Sequence, residues 1–174
     1  SAYCDVNIKL SDTIMPLPNE VTCNVHGVRA EFLTVGDNLS RRRTPGELGT
    51  VYYLGKALFS KGWGELLAAL KGAGSQLSDL VIDGYGSGPD HERIIQQNDD
   101  LGPHSASIVM HQGRDHADAA LHGYGVLVNP SSSDVLCTVT VEALAMGKHV
   151  VLARHPSNRF FESYFPERCH FFKV

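Results

Sequence analysis

Two carboxylates eight positions apart, Asp134 and Glu142, bracket the stretch most able to do chemistry. An apolar, β-branched run, Val126 to Val128, reads as a buried strand that Asn129-Pro130-Ser131 stops with turn residues. From Thr138 to Gly147 the residues favour a helix, with Ala143, Leu144, Ala145 and Met146 inside it and Gly147 where a C-cap glycine belongs. The start of that helix, at Thr138 and Val139, offers unpaired backbone N–H groups and the positive end of a dipole, which suit a phosphate. Glu142, about one turn further in, can accept hydrogen bonds from the hydroxyl pair of a ribose, and Asp134 faces whatever the phosphate carries. That combination suits a nucleotide-sugar. Two solvated surface acids are the competing reading of the same spacing.

A second candidate lies upstream. Val51 to Leu54 reads as a strand, and the loop after it holds Gly55, Lys56 and Lys61, all placed to reach a diphosphate beyond the carboxyl end of the strand. It is not a P-loop, because Gly55-Lys56 lacks both the spacer after a first glycine and the following Ser or Thr. Exposed surface lysines are the alternative. Gly84-Tyr85-Gly86-Ser87-Gly88-Pro89 invites a dinucleotide reading, but Pro89 stands where the third glycine should fall, so the loop either approaches the same ligand or simply turns tightly. Of nine histidines, His111 and His116 are five apart and share no helical face, and no carboxylate or cysteine completes a metal set. The histidines are therefore expected to be structural or solvated, with no metal site.

The elements that must position these residues alternate. Strands are expected to start near Val51, Leu80, Ser107, Gly125, Val150 and His170, with helix-like segments at Trp63 to Leu70, Asp90 to Gln97, Asp115 to Leu121 and Thr138 to Gly147. Alternation of this kind predicts an α/β fold with a Rossmann-like, doubly wound parallel sheet and right-handed crossovers. A further short strand, Val21 to Val25, lies in the first forty residues.

Composition narrows the function. A chain of 174 residues, 43% of them hydrophobic, is one ordinary globular domain's worth. A net charge of -4 argues against a nucleic-acid partner, and Arg41-Arg42-Arg43 beside Thr44-Pro45-Gly46 reads as a solvated loop. The cysteines Cys4, Cys23, Cys137 and Cys169 are too far apart for CxxC pairs and are expected to be reduced and largely buried. No apolar run approaches 18 residues, so no spanning segment is expected.

The string from Ser132 to Glu142 resembles the donor-binding signature of retaining family 4 glycosyltransferases of the GT-B fold. With Ala143 to Lys148 and His155-Pro156-Ser157-Asn158-Arg159-Phe160-Phe161, it is similar in particular to the digalactosyldiacylglycerol synthases of plants and algae. In that family the loop holding Lys56 and Lys61 reads Gly-Arg, four residues, Lys-Gly, so Lys56 stands in for an arginine and offers a point charge instead of a fork. His26-Gly27-Val28-Arg29 with Phe32 corresponds to the interdomain hinge, where Arg29 replaces the usual acid.

The resemblance implies a C-terminal donor domain over residues 49–174, truncated at its end, preceded by a hinge segment and the close of another domain over residues 1–48. It also implies UDP-galactose as donor and no metal or other cofactor. Lys56 and Lys61 would bind the diphosphate, Asp134 would face galactose, and Glu142 would hold ribose. Gln112, Gly113 and Arg114 would lie at the base. The acceptor would be a galactolipid on the chloroplast outer envelope, met from the cytosolic side by the full-length protein. Asp134 is one methylene shorter than the family's usual glutamate. A different UDP-sugar transferase of the same family, or a nucleotide-sugar-binding fragment without turnover, are the other readings.

Overall fold

The computed structural model describes residues 5–11, 13–23, 27–40, 49–135 and 137–173. Two short strands, β1 (Asn7–Lys9) and β2 (Glu20–Thr22), pair in parallel, and Lys9 Nζ meets Glu20 Oε1 at 2.8 Å across them. Helix α1 (Ala30–Ser40) follows. The rest alternates: β3 (Val51–Leu54), α2 (Trp63–Ala73), β4 (Val81–Tyr85), α3 (His91–Asp99), β5 (Ser107–His111), β6 (Val126–Asn129), α4 (Thr138–Ala145), β7 (His149–Ala153), α5 (Arg159–Tyr164) and β8 (Cys169–Phe172).

The last six strands form one parallel sheet in the order β5-β4-β3-β6-β7-β8. Chain direction along the sheet therefore reverses between β3 and β6, which leaves a crevice beyond their carboxyl ends. This is the doubly wound parallel sheet that the alternation predicts.

Side chains alternate across the pleat, so each strand feeds both layers. Tyr53, Ile82 and Ile108 face α2 and α3, packing with Trp63, Leu66, Leu67, Leu70 and Ile94. Tyr52, Leu127, Val150 and Leu152 face the other way, against Leu121, Ala143 of α4 and Phe161 of α5. Strand β6 is buried at all four positions, as a central parallel strand covered on both faces must be. Lys148 is fully buried at the α4–β7 corner, where its ammonium donates to the Leu121 carbonyl at 2.5 Å and lies 4.5 Å from the Tyr52 ring centre. That bond ties the β7 side of the sheet to the β5–β6 crossover.

Several boundaries differ from those expected. Asp115 to Leu121 is not a helix: only Ala119–Leu121 makes a single 3-10 turn. The reason is local competition, since the Asp115 and Asp118 carboxylates accept from the amides of Ala117 and Ala120 and cap turns there. Helix α4 stops at Ala145, two residues early, with Gly147 in the left-handed region (φ 73°) just after it. Strand β2 spans Glu20–Thr22 where Val21 to Val25 was expected; Asn24, Val25 and His26 lie outside the described residues, as do Cys4 and the Arg41-Arg42-Arg43 loop. Cys137 and Cys169 are buried and Cys23 is half-buried, all as free thiols.

Strand β1 and helices α1 and α5 were not anticipated. Helix α1 buries Phe32 and packs on α4 so closely that a methyl on Gly36 would sit 2.3 Å from the Ala145 carbonyl oxygen. Among the described residues no helix is long and apolar enough to cross a membrane.

Trp63 anchors the first layer: it has no exposed surface, lies 4.3 Å from the Tyr53 ring centre at a tilt of 54° and donates its indole N–H to the Lys56 carbonyl at 3.3 Å. Trp63→Ala is expected to lower unfolding free energy by about 3–5 kcal/mol in a denaturant titration. Val109→Ala, on the exposed side of β5, is expected to stay within about 0.5 kcal/mol of the parent.

Candidate functional site

The crevice between β3 and β6 is where the two candidate motifs meet. The β3 loop ends at Gly62, which adopts φ 85°, and a methyl there would lie 2.1 Å from the Pro130 carbonyl oxygen. Only glycine permits both the backbone conformation and this backbone-on-backbone contact. Ser133 Oγ adds a tie by donating to the Ser60 carbonyl at 2.9 Å. The loop after β3 and the loop after β6 are thus one packed unit.

That contact brings Lys61 and Asp134 together, 73 positions apart in sequence. Lys61 Nζ lies 2.5 Å from Asp134 Oδ1, with the side chains 34% and 21% exposed. A pair this accessible still meets solvent, so an incoming anion can compete for the ammonium. Lys56 is exposed, and its ammonium forms no ion pair among the described residues; its carbonyl instead accepts from Tyr53 and Trp63, which shapes the loop. Gly55 pairs through its amide with the Tyr85 carbonyl, and Ala57 with that of Ser87. The glycine loop after β4 therefore packs on the lysine loop: a methyl on Gly86 would fall 1.8 Å from the Gly55 carbonyl oxygen, and one on Gly88 would fall 2.4 Å from that of Ala57. Close backbone approach explains these glycines without a dinucleotide.

Helix α4 points its amino end into the same crevice. Its N-cap, Cys137, makes no side-chain cap, and the first amide engaged within the helix is that of Val141, bonded to the Cys137 carbonyl. The amides of Thr138 and Val139 precede that first bond and face the crevice end of the helix. Asn129, buried at the end of β6, organises this start: its Nδ2 donates to Cys137 Sγ and Thr140 Oγ1, both at 3.0 Å, and its Oδ1 accepts from the Ser131 amide. Sequence reasoning treated Asn129 only as a turn residue; a polar side chain at the end of a wholly apolar strand was the available signal.

Glu142 lies one turn into α4 and is 16% exposed. Its Oε2 is 2.7 Å from Nδ1 of His116, which comes from the crossover between β5 and β6. The hydrogen bond to Glu142 is the largest influence on the imidazole and raises its pKa above the ordinary histidine value, against the opposing effect of burial. His116 was expected to be merely structural or solvated, and 26 positions of separation left no spacing signal for this pair.

Gln112, Gly113 and Arg114 are exposed at the carboxyl end of β5. Arg114 pairs with Asp118 at 2.8 Å and places its guanidinium 5.5 Å from the Tyr85 ring centre. Gln112 and His111 line a cleft with Gly86, Ser87, Gly88 and His91. Behind it, Asp83 takes His111 Nε2 at 2.6 Å and the Tyr124 hydroxyl at 2.9 Å, a network that no sequence spacing announced. Among the described residues no three His, Cys, Asp or Glu side chains gather as a metal set.

The crevice joins the Lys61–Asp134 pair to the amino end of α4, with Glu142 one turn in, which suits a phosphorylated ligand carrying hydroxyl groups. Residues 38–161 match the family model described as glycosyl transferases group 1. The chain is 45% identical over 166 residues to digalactosyldiacylglycerol synthase 1, chloroplastic, of Arabidopsis thaliana, covering 94% of this chain and 20% of that protein. It is 42% identical over 167 residues to digalactosyldiacylglycerol synthase 2, chloroplastic, of Glycine max, covering 94% of this chain and 35% of that one. The chain thus spans about a fifth to a third of the length of these relatives. Among solved structures, the Anabaena protein HepE in complex with UDP and glucose aligns with a TM-score of 0.61 at 15% identity, over 89% of this chain and 43% of that one, a likeness of fold. The family match covers well over half the chain, and on that ground the chain belongs to the group 1 glycosyl transferases.

Proposed function

We propose that this chain is the donor-binding part of a UDP-galactose-dependent galactosyltransferase that makes digalactosyldiacylglycerol from monogalactosyldiacylglycerol with retention of configuration. The observation that carries the reading is the convergence of Lys61, Asp134 and the open amino end of α4 at the point where the sheet reverses. Identity of 40–45% to synthases of that name supports the substrate assignment, and the UDP held by a structural neighbour supports the nucleotide. The relatives are named chloroplastic, and we place the full-length protein at the outer envelope, facing the cytosol, where its galactolipid acceptor lies. Residues 49–174 form the donor domain in this reading, and residues 1–48 carry the hinge and the end of the preceding domain.

In this assignment the diphosphate sits on Lys56, Lys61 and the amides of Thr138 and Val139. The glycosidic bond to the β-phosphate oxygen breaks, UDP leaves with the electron pair, and galactose bonds to an acceptor hydroxyl oxygen whose proton passes to the departing phosphate oxygen. Lysines and helix amides aimed at the leaving oxygens stabilise charge that grows only in the transition state. Asp134 faces the galactose and supports its positive anomeric centre, Glu142 holds the ribose, and Gln112, Gly113 and Arg114 border the uracil. Because the two lysines and the helix carry the phosphate charge, donor binding needs no metal.

The deciding experiment is calorimetric titration of the chain, and of the full-length protein, with UDP-galactose, UDP-glucose and NAD in the presence of EDTA. Saturable binding of UDP-galactose in preference to the other two is expected. Binding of NAD, or of no UDP-sugar by the full-length protein, would overturn the assignment. Lys61→Ala is expected to weaken UDP about tenfold or more while leaving uridine within about twofold; equal losses for both ligands would remove Lys61 from the diphosphate. Asp134→Asn releases the Lys61 ammonium from its partner, so UDP is expected to bind about threefold more tightly, while galactose transfer by the full-length protein falls about a hundredfold. Unchanged transfer would show that Asp134 does not serve the reacting sugar.

A further inference from the structure

Glu142 sits on the first turns of a short helix, and a glutamate there has several rotamers that would aim its carboxylate away from the crevice. The structure holds it with one bond from outside the helix: His116 Nδ1 to Oε2 at 2.7 Å. The second oxygen, Oε1, has no hydrogen-bond partner among the described residues. One oxygen is fixed and the other is available.

The segment that carries the imidazole is held on both sides of His116. The neighbouring Asp115 accepts from the Ala117 amide at 2.9 Å and from Arg29 Nη2 at 3.4 Å. Asp118 caps the following turn through the Ala120 amide at 2.9 Å and pairs with Arg114. The His122 ring meets the Ala117 carbonyl at 3.2 Å. These bonds stop the segment from forming a helix and present His116 toward α4. Arg29, which also pairs with Glu31 at 2.9 Å and lies over the Phe32 ring, thereby connects the segment before α1 to the crossover that carries His116. The basic side chain at that position has a partner, Asp115, that an acid could not have.

We propose that His116 is a positioning residue for nucleotide recognition: it locks one oxygen of Glu142 so that the other accepts the ribose hydroxyls of the donor. The inference rests on the assignment of Glu142 to the ribose. His116 touches no substrate atom; it acts through Glu142 and narrows its conformational freedom before the ligand arrives, so the ligand does not bear the cost of ordering it. Charged groups around the imidazole are Glu142 on α4, Asp115 on its own segment and Arg29 ahead of α1.

The test compares UDP with dideoxyuridine diphosphate, which lacks both ribose hydroxyls, by calorimetry on the full-length protein. The parent is expected to prefer UDP by about tenfold or more. His116→Ala is expected to lose most of that preference by weakening UDP about tenfold while leaving the dideoxy ligand within about twofold. His116→Asn, whose amide N–H can stand where the Nδ1 proton stands, is expected to restore the preference. Melting temperatures of both variants, compared with the parent, separate a local effect from misfolding.

If His116→Ala weakens both ligands equally, the residue is structural and the inference falls. If it weakens neither, or if His116→Asn fails to restore the preference while His116→Ala abolishes it, positioning through this bond is wrong. A failure of the underlying reading looks different, because the parent itself would then bind the two ligands equally.

Discussion

The contact on which this structure depends is backbone against backbone: Gly62 on the carbonyl of Pro130. It lies at the point where the sheet reverses direction, and it fixes how far apart two independent crossovers can sit. Neither loop could hold the other through side chains alone, since long lysines and serines at a crevice edge are free to move. A backbone contact needs no rotamer to be frozen. Once it is made, Lys61 faces Asp134, Ser133 reaches the Ser60 carbonyl, and the lysine loop in turn packs on the glycines after β4.

Both candidate carboxylates of the crevice are paired within the protein. Each candidate carboxylate has one cationic or donating partner, Asp134 with Lys61 and Glu142 with His116, and each pair is partly open to water. Partial exposure keeps these pairs weak enough to rearrange, whereas a buried pair would resist losing either member. Below them the polar side chains are fully committed. Asn129 holds the start of α4 through the side chains of Cys137 and Thr140, and Lys148 donates its ammonium to a carbonyl in the core. Partly exposed ion pairs thus sit above buried, fully bonded polar groups.

The segment before the sheet is drawn into the same frame. Helix α1 lies on α4 through Gly36 and buries Phe32, so the element carrying the candidate helix amides is braced from behind. Arg29 extends that brace to Asp115, next to the histidine that holds Glu142. Parts of the chain far apart in sequence therefore converge on one short helix.

The sequence alone determined the alternation of strands and helices, and with it the doubly wound parallel sheet. Runs such as Val51 to Leu54 and Val126 to Val128 carry their strand identity in β-branched and apolar residues, which is local information. Gly147 ended its helix for an equally local reason. Residue type and spacing also singled out Lys56, Lys61, Asp134 and Glu142 as candidates, while leaving solvated surface groups as an equal reading. Tertiary structure decided what spacing cannot carry. It added α1 and α5 where no strong periodicity announced them, and set His116 on Glu142 and Asp83 on His111. Asp83 meets His111 through the register of β4 on β5, and His116 meets Glu142 where the β5–β6 crossover lies against α4. Register is fixed by burial on two faces at once, so it exists only after the chain has folded.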